Sequence, residues 1–150
     1  MIDTVNGVFE LGTDGPRTIL VGVDGSDTSL RAGAYAAGLA RRQGSHLVVV
    51  FVHVATAAFA PEAIVAARDA QESTLAELRA TAEEGSARLG VEYTFYERRG
   101  NPYAEITRLA NELRVDAVVI GASMQAGHRL VGSLATRLVR DARWPVTVVP

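Results

Sequence analysis

The nine residues His46 to Val54, HLVVVFVHV, constrain the fold more than any other part of the chain. A run that stays apolar through its middle and is rich in β-branched side chains suits a strand covered on both faces, because neither set of alternating side chains can then meet water. The run predicts a central strand of a parallel sheet. Parallel neighbours in turn require crossover helices.

The flanking sequence supplies them. Ile19 to Val23 reads as a first strand, followed by a helix beginning near Asp27 or Thr28, with Leu30, Ala34, Ala37 and Arg41 on one face and Gly44 as its stop. Pro61 opens a long helical stretch to about Leu89, with Leu75, Leu78, Ala82 and Leu89 on one face before Gly90. Val91 to Glu97 alternates and is more polar, as an edge strand does. A helix beginning at Asn101 or Pro102 carries the stripe Tyr103, Ile106, Ala110 and Leu113; then follow a strand over Asp116 to Ile120, a helix over Ser133 to Ala142 and a last strand over Pro145 to Val149. Strands alternating with helices predict an α/β domain with a doubly wound parallel sheet, whose ligands sit beyond the carboxyl ends of the strands where the winding reverses.

At 150 residues and 48% hydrophobic content the chain suits one domain. Residues 1–16 are polar and aperiodic, which predicts a flexible extension before a domain over 17–150. No apolar run approaches the roughly 20 residues of a membrane span, and the first residues lack signal-peptide character, so the expected location is cytoplasmic. With no cysteine there is no thiolate nucleophile or Cys-based metal site, and a formal charge of -2 offers no global attraction to nucleic acid. All fifteen basic residues are arginine. A P-loop or a Schiff-base enzyme would need a lysine.

Two loops concentrate the candidate chemistry. The first, Val23 to Ser29, places Asp24 at the end of the first strand, where a carboxylate could accept hydrogen bonds from a ligand or, with Ser26 and Asp27, shape the turn and cap the helix. The second, Gly121 to Ser133 (GASMQAGHRLVGS), joins a strand to a helix. Backbone N–H groups at Gly132 and Ser133 would meet an anion there with the positive end of the helix dipole, unless Ser133 serves as an ordinary N-cap. Gly121 and Ser123 lie at the start of this loop, and Arg129 inside it could fork onto phosphate oxygens. If the strand order is 3-2-1-4-5, the two loops face each other across one crevice. His46 and His53 are too far apart along one strand to chelate a metal, so both are expected to be structural and no metal site is expected. Ser133 has no acid or base partner in the pattern, and neither G-x-S-x-G nor H-E-x-x-H occurs. Trp144, before Pro145, suits covering the sheet edge or a subunit contact.

Taken together, ILVGVDGS, HLVVVFVHV, GNPYAEITRLANELRVDAVVIGAS and VGSLATRLVRDARWPVTVVP resemble the universal stress protein family over nearly all of residues 17–150. The resemblance implies a five-stranded parallel sheet of order 3-2-1-4-5 with helices on both faces, of the adenine nucleotide alpha hydrolase type. It also implies a non-enzymatic stress-response protein, a homodimer through the last strand (Val146, Val148), and in many members ATP or another adenine nucleotide in the crevice. Carried over residue by residue, Asp24, Gly121, Gly132 and Ser133 match the nucleotide motif, and Val54 lies where the second strand borders adenine. The chain departs from G-x-x-G, nine residues, G-[S/T]: Met124 stands at the second glycine, and only Gln125 to Val131, seven residues, precede Gly132. A side chain on a shortened path intrudes on the phosphates and leaves the adenosine end intact. The alternatives are a nucleotide-free interaction module and an adenylating enzyme of the ATP pyrophosphatase kind. DGSDTS offers the latter only Gly25 where its loop needs two adjacent glycines.

Overall fold

The computed structural model describes residues 15–57, 59–125 and 128–150. Residues 1–14, most of the expected extension, lie outside the described residues. Along the chain run β1 (Thr18–Val23), α1 (Asp27–Gln43), β2 (His46–His53), α2 (Pro61–Leu89), β3 (Tyr93–Arg99), α3 (Pro102–Glu112), β4 (Ala117–Gly121), β5 (Ser123–Gln125), β6 (His128–Leu130), α4 (Ser133–Asp141) and β7 (Val146–Val149). The main sheet is parallel, in the order β3-β2-β1-β4-β7. Counting only its own strands, this is the expected order 3-2-1-4-5.

The apolar run of β2 explains the layering. Leu47, Val49 and Phe51 join Ala32, Ala36 and Ala40 of α1 and Leu75 and Leu78 of α2 in one core. On the opposite face, Val48 and Val50 join Ile106 and Leu109 of α3 and Ala135 and Leu138 of α4. Trp144 packs against this second core together with Val146 and Val148. Arg137 of α4 stacks 3.7 Å from the ring centroid of Tyr103, tying the two helices on that face.

Three expectations need correction. The buried face of α1 is Ala32, Ala36 and Ala40 with Thr28 and Ser29, whereas Leu30 is 43% exposed. The helix lies so close to the sheet that only small side chains fit between them, and the larger residues turn outward. Strand β3 begins at Tyr93 rather than Val91, because Gly90 adopts a left-handed conformation and the Val91 N–H closes the end of α2 on the Ser86 carbonyl. The segment from Gly121 to Ser133, expected as an open loop, folds back through a short antiparallel hairpin in which Ser123 pairs with Leu130, Met124 with Arg129 and Gln125 with His128. The fourth helix begins at Ser133 as expected, and its N-cap is Gly132, so the alternative in which Ser133 is an ordinary N-cap does not hold.

Where α1 meets β4 the approach is backbone to backbone. A Cβ on Gly121 would lie 2.5 Å from the carbonyl carbon of Thr28 and 2.7 Å from the Ser29 nitrogen. Beside it the buried Thr28 hydroxyl donates to the Ala122 carbonyl at 2.6 Å. Gly121→Ala is therefore expected to lower unfolding free energy by about 1–3 kcal/mol, the range for overpacking a close contact. Chemical denaturation without any ligand reads this, and a loss below about 0.5 kcal/mol would contradict the close approach.

Candidate functional site

Beyond Val23 the chain leaves the sheet in a turn held by its own side chains. The Asp24 carboxylate accepts from the Ser26 N–H at 2.9 Å, and the Ser26 hydroxyl caps α1 by accepting from the Ser29 N–H at 3.3 Å. The Ser29 hydroxyl accepts from the N–H groups of Asp24 (3.2 Å) and Gly25 (3.1 Å) and donates to the Ser26 carbonyl. Gly25 has φ +88°, and a Cβ there would lie 2.6 Å from the Thr74 Cγ2 of α2. Asp24 thus performs its turn-forming role while remaining exposed at the carboxyl end of β1.

Opposite this turn, the hairpin returns the chain to Gly132. A Cβ on Gly132 would lie 2.7 Å from the Cβ of Ser123, so the glycine lets the hairpin close against the end of β4. The helix that follows starts without a side-chain cap, as α2 does at Ala60. Ser26 caps α1 and Asn101 caps α3 through side-chain oxygens, whereas α4 begins at Gly132 without a side-chain cap. The first backbone bond within α4 runs from the Thr136 N–H to the Gly132 carbonyl, leaving the preceding N–H groups directed out of the helix.

Between the two turns lies a crevice of about 760 Å³, within the range of small-molecule and cofactor sites. Asp24, Val54, Gly121, Ser123, Gly132 and Ser133 all line it. The side chains of Arg129 and Met124 lie outside the described residues. The apolar floor includes Val50, Ile106 and Ile120, and α2 adds a wall of Ala67, Ala70 and Gln71. Sequence reasoning missed that wall, having treated α2 as a core helix only. Its one signal is that Ala67 and Ala70 precede the stripe of Leu75 and Leu78 at helical spacing, too slender to pack a core and suited to bordering a cavity.

A second cluster flanks the crevice beyond β2. His53, expected to be structural, is buried and its Nε2 lies 2.6 Å from Glu97 on β3. The same carboxylate meets Arg79 at 3.3 Å and Arg99 at 3.9 Å. The hydrogen bond from His53, with Arg79 assisting against partial desolvation, holds the Glu97 carboxyl below its ordinary value. Glu72 completes a group whose donor atoms all lie within 4.8 Å of one another, a grouping the spacing of the two histidines could not disclose. Two guanidinium groups already neutralise its central carboxylate, so it reads as an ion-pair network joining β2, β3 and α2. Among the described residues, no helix is long and apolar enough to cross a membrane.

Residues 15–150 match the model of the universal stress protein family. Among curated proteins, a universal stress protein of Methanocaldococcus jannaschii is 25% identical over 154 residues, covering 97% of this chain and 88% of the relative. A universal stress protein family structure from Burkholderia pseudomallei is 28% identical with a TM-score of 0.68, covering 89% of this chain and 96% of that one. The universal stress protein of Archaeoglobus fulgidus, solved in complex with dAMP, is 24% identical with a TM-score of 0.61, covering 92% of this chain and 100% of that one.

Proposed function

For a chain that belongs to the universal stress protein family, we propose binding of an adenine nucleotide in the crevice between β1 and β4, without catalysis, in a homodimer. The observation that carries this reading is the pairing of an exposed carboxylate with an uncapped helix start across one cavity. A nucleotide needs complementary partners at its two ends. Asp24 supplies an acceptor for ribose hydroxyls. The N–H groups at Gly132 and Ser133, at the positive end of the α4 dipole, suit a phosphate. Gly121 and Ser123 border the path between, and Val54 stands beside the base.

The relative solved with dAMP supports a ligand of this class. Met124 and the shortened segment before Gly132 weaken the hold on outer phosphates, so AMP and ATP should bind within about tenfold of each other, a gap of roughly 1.4 kcal/mol. Arg129 is the residue positioned in sequence to restore ATP preference by forking onto the phosphates. The reading is non-enzymatic because, among the described lining residues, no serine hydroxyl is bonded to a histidine or a carboxylate: that of Ser26 meets Thr28 and the Ser29 N–H, and that of Ser29 bonds within the turn. A nucleotide-free interaction module is the second reading. It is favoured by the structural duties that Asp24, Gly121 and Gly132 already perform in the turn and the close contacts.

The homodimer rests on the edge position of β7. Pro145 and Val149 direct their carbonyls to β4, which leaves the backbone groups of Val146 and Val148 facing the open edge while their side chains pack into the core. An apolar edge of this kind is ready to pair with a second copy. Light scattering at micromolar concentration should give the mass of two chains; one chain's mass would contradict the dimer.

Titration calorimetry with AMP separates the two functional readings. If Asp24 accepts from the ribose, Asp24→Ala weakens AMP by roughly 1.5–3 kcal/mol. If it only shapes the turn, stability falls by about 1 kcal/mol with affinity unchanged.

A further inference from the structure

The end of β2 presents a hydrogen-bonding edge that the sheet does not use. Residues of a parallel strand direct their N–H and C=O alternately to the two neighbours. On β2 the alternation is explicit: His46 bonds to Arg17 on the β1 side, Leu47 to Glu92 on the β3 side, and the His53 carbonyl accepts from Gly100, again on the β3 side. Val54 therefore faces the β1 side. There β1 has ended, since its last register partner is Val23 opposite Phe51 and the chain turns away at Asp24. The Val54 N–H and C=O consequently open onto the crevice, and one side chain fills them. Gln71 of α2 accepts from the Val54 N–H at 3.0 Å and donates to the Val54 carbonyl at 3.1 Å.

Resting on the nucleotide reading above, we infer that Gln71 is a built-in occupant of the base-reading edge: its amide and an adenine ring compete for the same two backbone groups of Val54. A primary amide presents an acceptor beside a donor. The N1 and N6 amino edge of adenine presents the same pair at similar spacing. Gln71 lines the crevice with Val54, so the two occupants would overlap. Removing Gln71 from the edge needs only side-chain rotation, because Thr74, one turn along α2, holds the helix against Gly25. In the free protein the clamp satisfies an otherwise unpaired strand end. In the bound state the base satisfies it, and only the difference between the two appears as affinity. The apparent affinity is thereby set below what the crevice alone would give.

The test compares wild type with Gln71→Ala, a change that preserves helix propensity, using AMP and, as a probe lacking a base, ribose 5-phosphate. AMP should bind Gln71→Ala about tenfold tighter, while ribose 5-phosphate binds both proteins equally. In wild type the Gln71 side-chain amide resonances should move toward solvent-exposed values as AMP is added. AMP binding that is unchanged or weaker in Gln71→Ala would overturn the competition while leaving nucleotide binding intact. Equal gains for AMP and ribose 5-phosphate would overturn it too, by showing that Gln71 merely obstructs the cavity. If neither protein binds AMP, the nucleotide reading itself fails, and the clamp remains visible only as faster Val54 amide exchange in Gln71→Ala.

Discussion

The contact between the start of α1 and the end of β4 sets the geometry on which the crevice depends. Gly121 brings the strand's backbone against Thr28 and Ser29 at a distance no side chain would tolerate, and the Thr28 hydroxyl bonds the Ala122 carbonyl beside it. Both elements leave the sheet at the point where the winding reverses. Holding them together fixes how far the Asp24 turn stands from the hairpin and from α4. The same closeness selects alanines for the face of α1 that meets the sheet, so helix packing and site width follow from one approach of two backbones.

Around that contact the polar groups are either closed on themselves or left open, and the difference points to chemistry. In the turn from Asp24 to Ser29 the backbone N–H groups of Asp24, Gly25, Ser26 and Ser29 are bonded within the turn while the Asp24 carboxylate stays exposed, and α3 is capped by Asn101. At α4 the cap is a glycine, and the helix dipole and its first N–H groups meet the cavity. At Val54 the strand end is open in the same sense but is met by Gln71. A ligand with an anionic end and an amide-like edge would complement both places at once, whereas a purely apolar ligand would leave both unanswered.

Much of the fold was legible in the sequence because burial on both faces leaves a continuous apolar signature, as in HLVVVFVHV, and because Gly44 and Gly90 mark helix ends by a backbone conformation few other residues adopt. The face of α1 was not legible. Its orientation depends on a tertiary approach at Gly121, and a periodicity reading favoured Leu30 over the smaller Ala32 and Ala36. The hairpin of β5 and β6 has no apolar alternation to announce it. Asp24, Gly121, Ser123, Gly132 and Ser133 could be assembled from two loops and a strand order, and Val54 from the family resemblance, but Gln71 could not. Nothing in a helical Gln states that it reaches back to a strand end 17 residues earlier in the chain; only the end of β1 leaves Val54 open to it.

Backbone amide resonances followed during titration with AMP test the central claim most directly. The account predicts saturable shifts that cluster at Asp24 to Ser26, Val54, and Gly132 with Ser133, on opposite sides of one crevice. Shifts confined to another surface, or none at millimolar AMP, would contradict it.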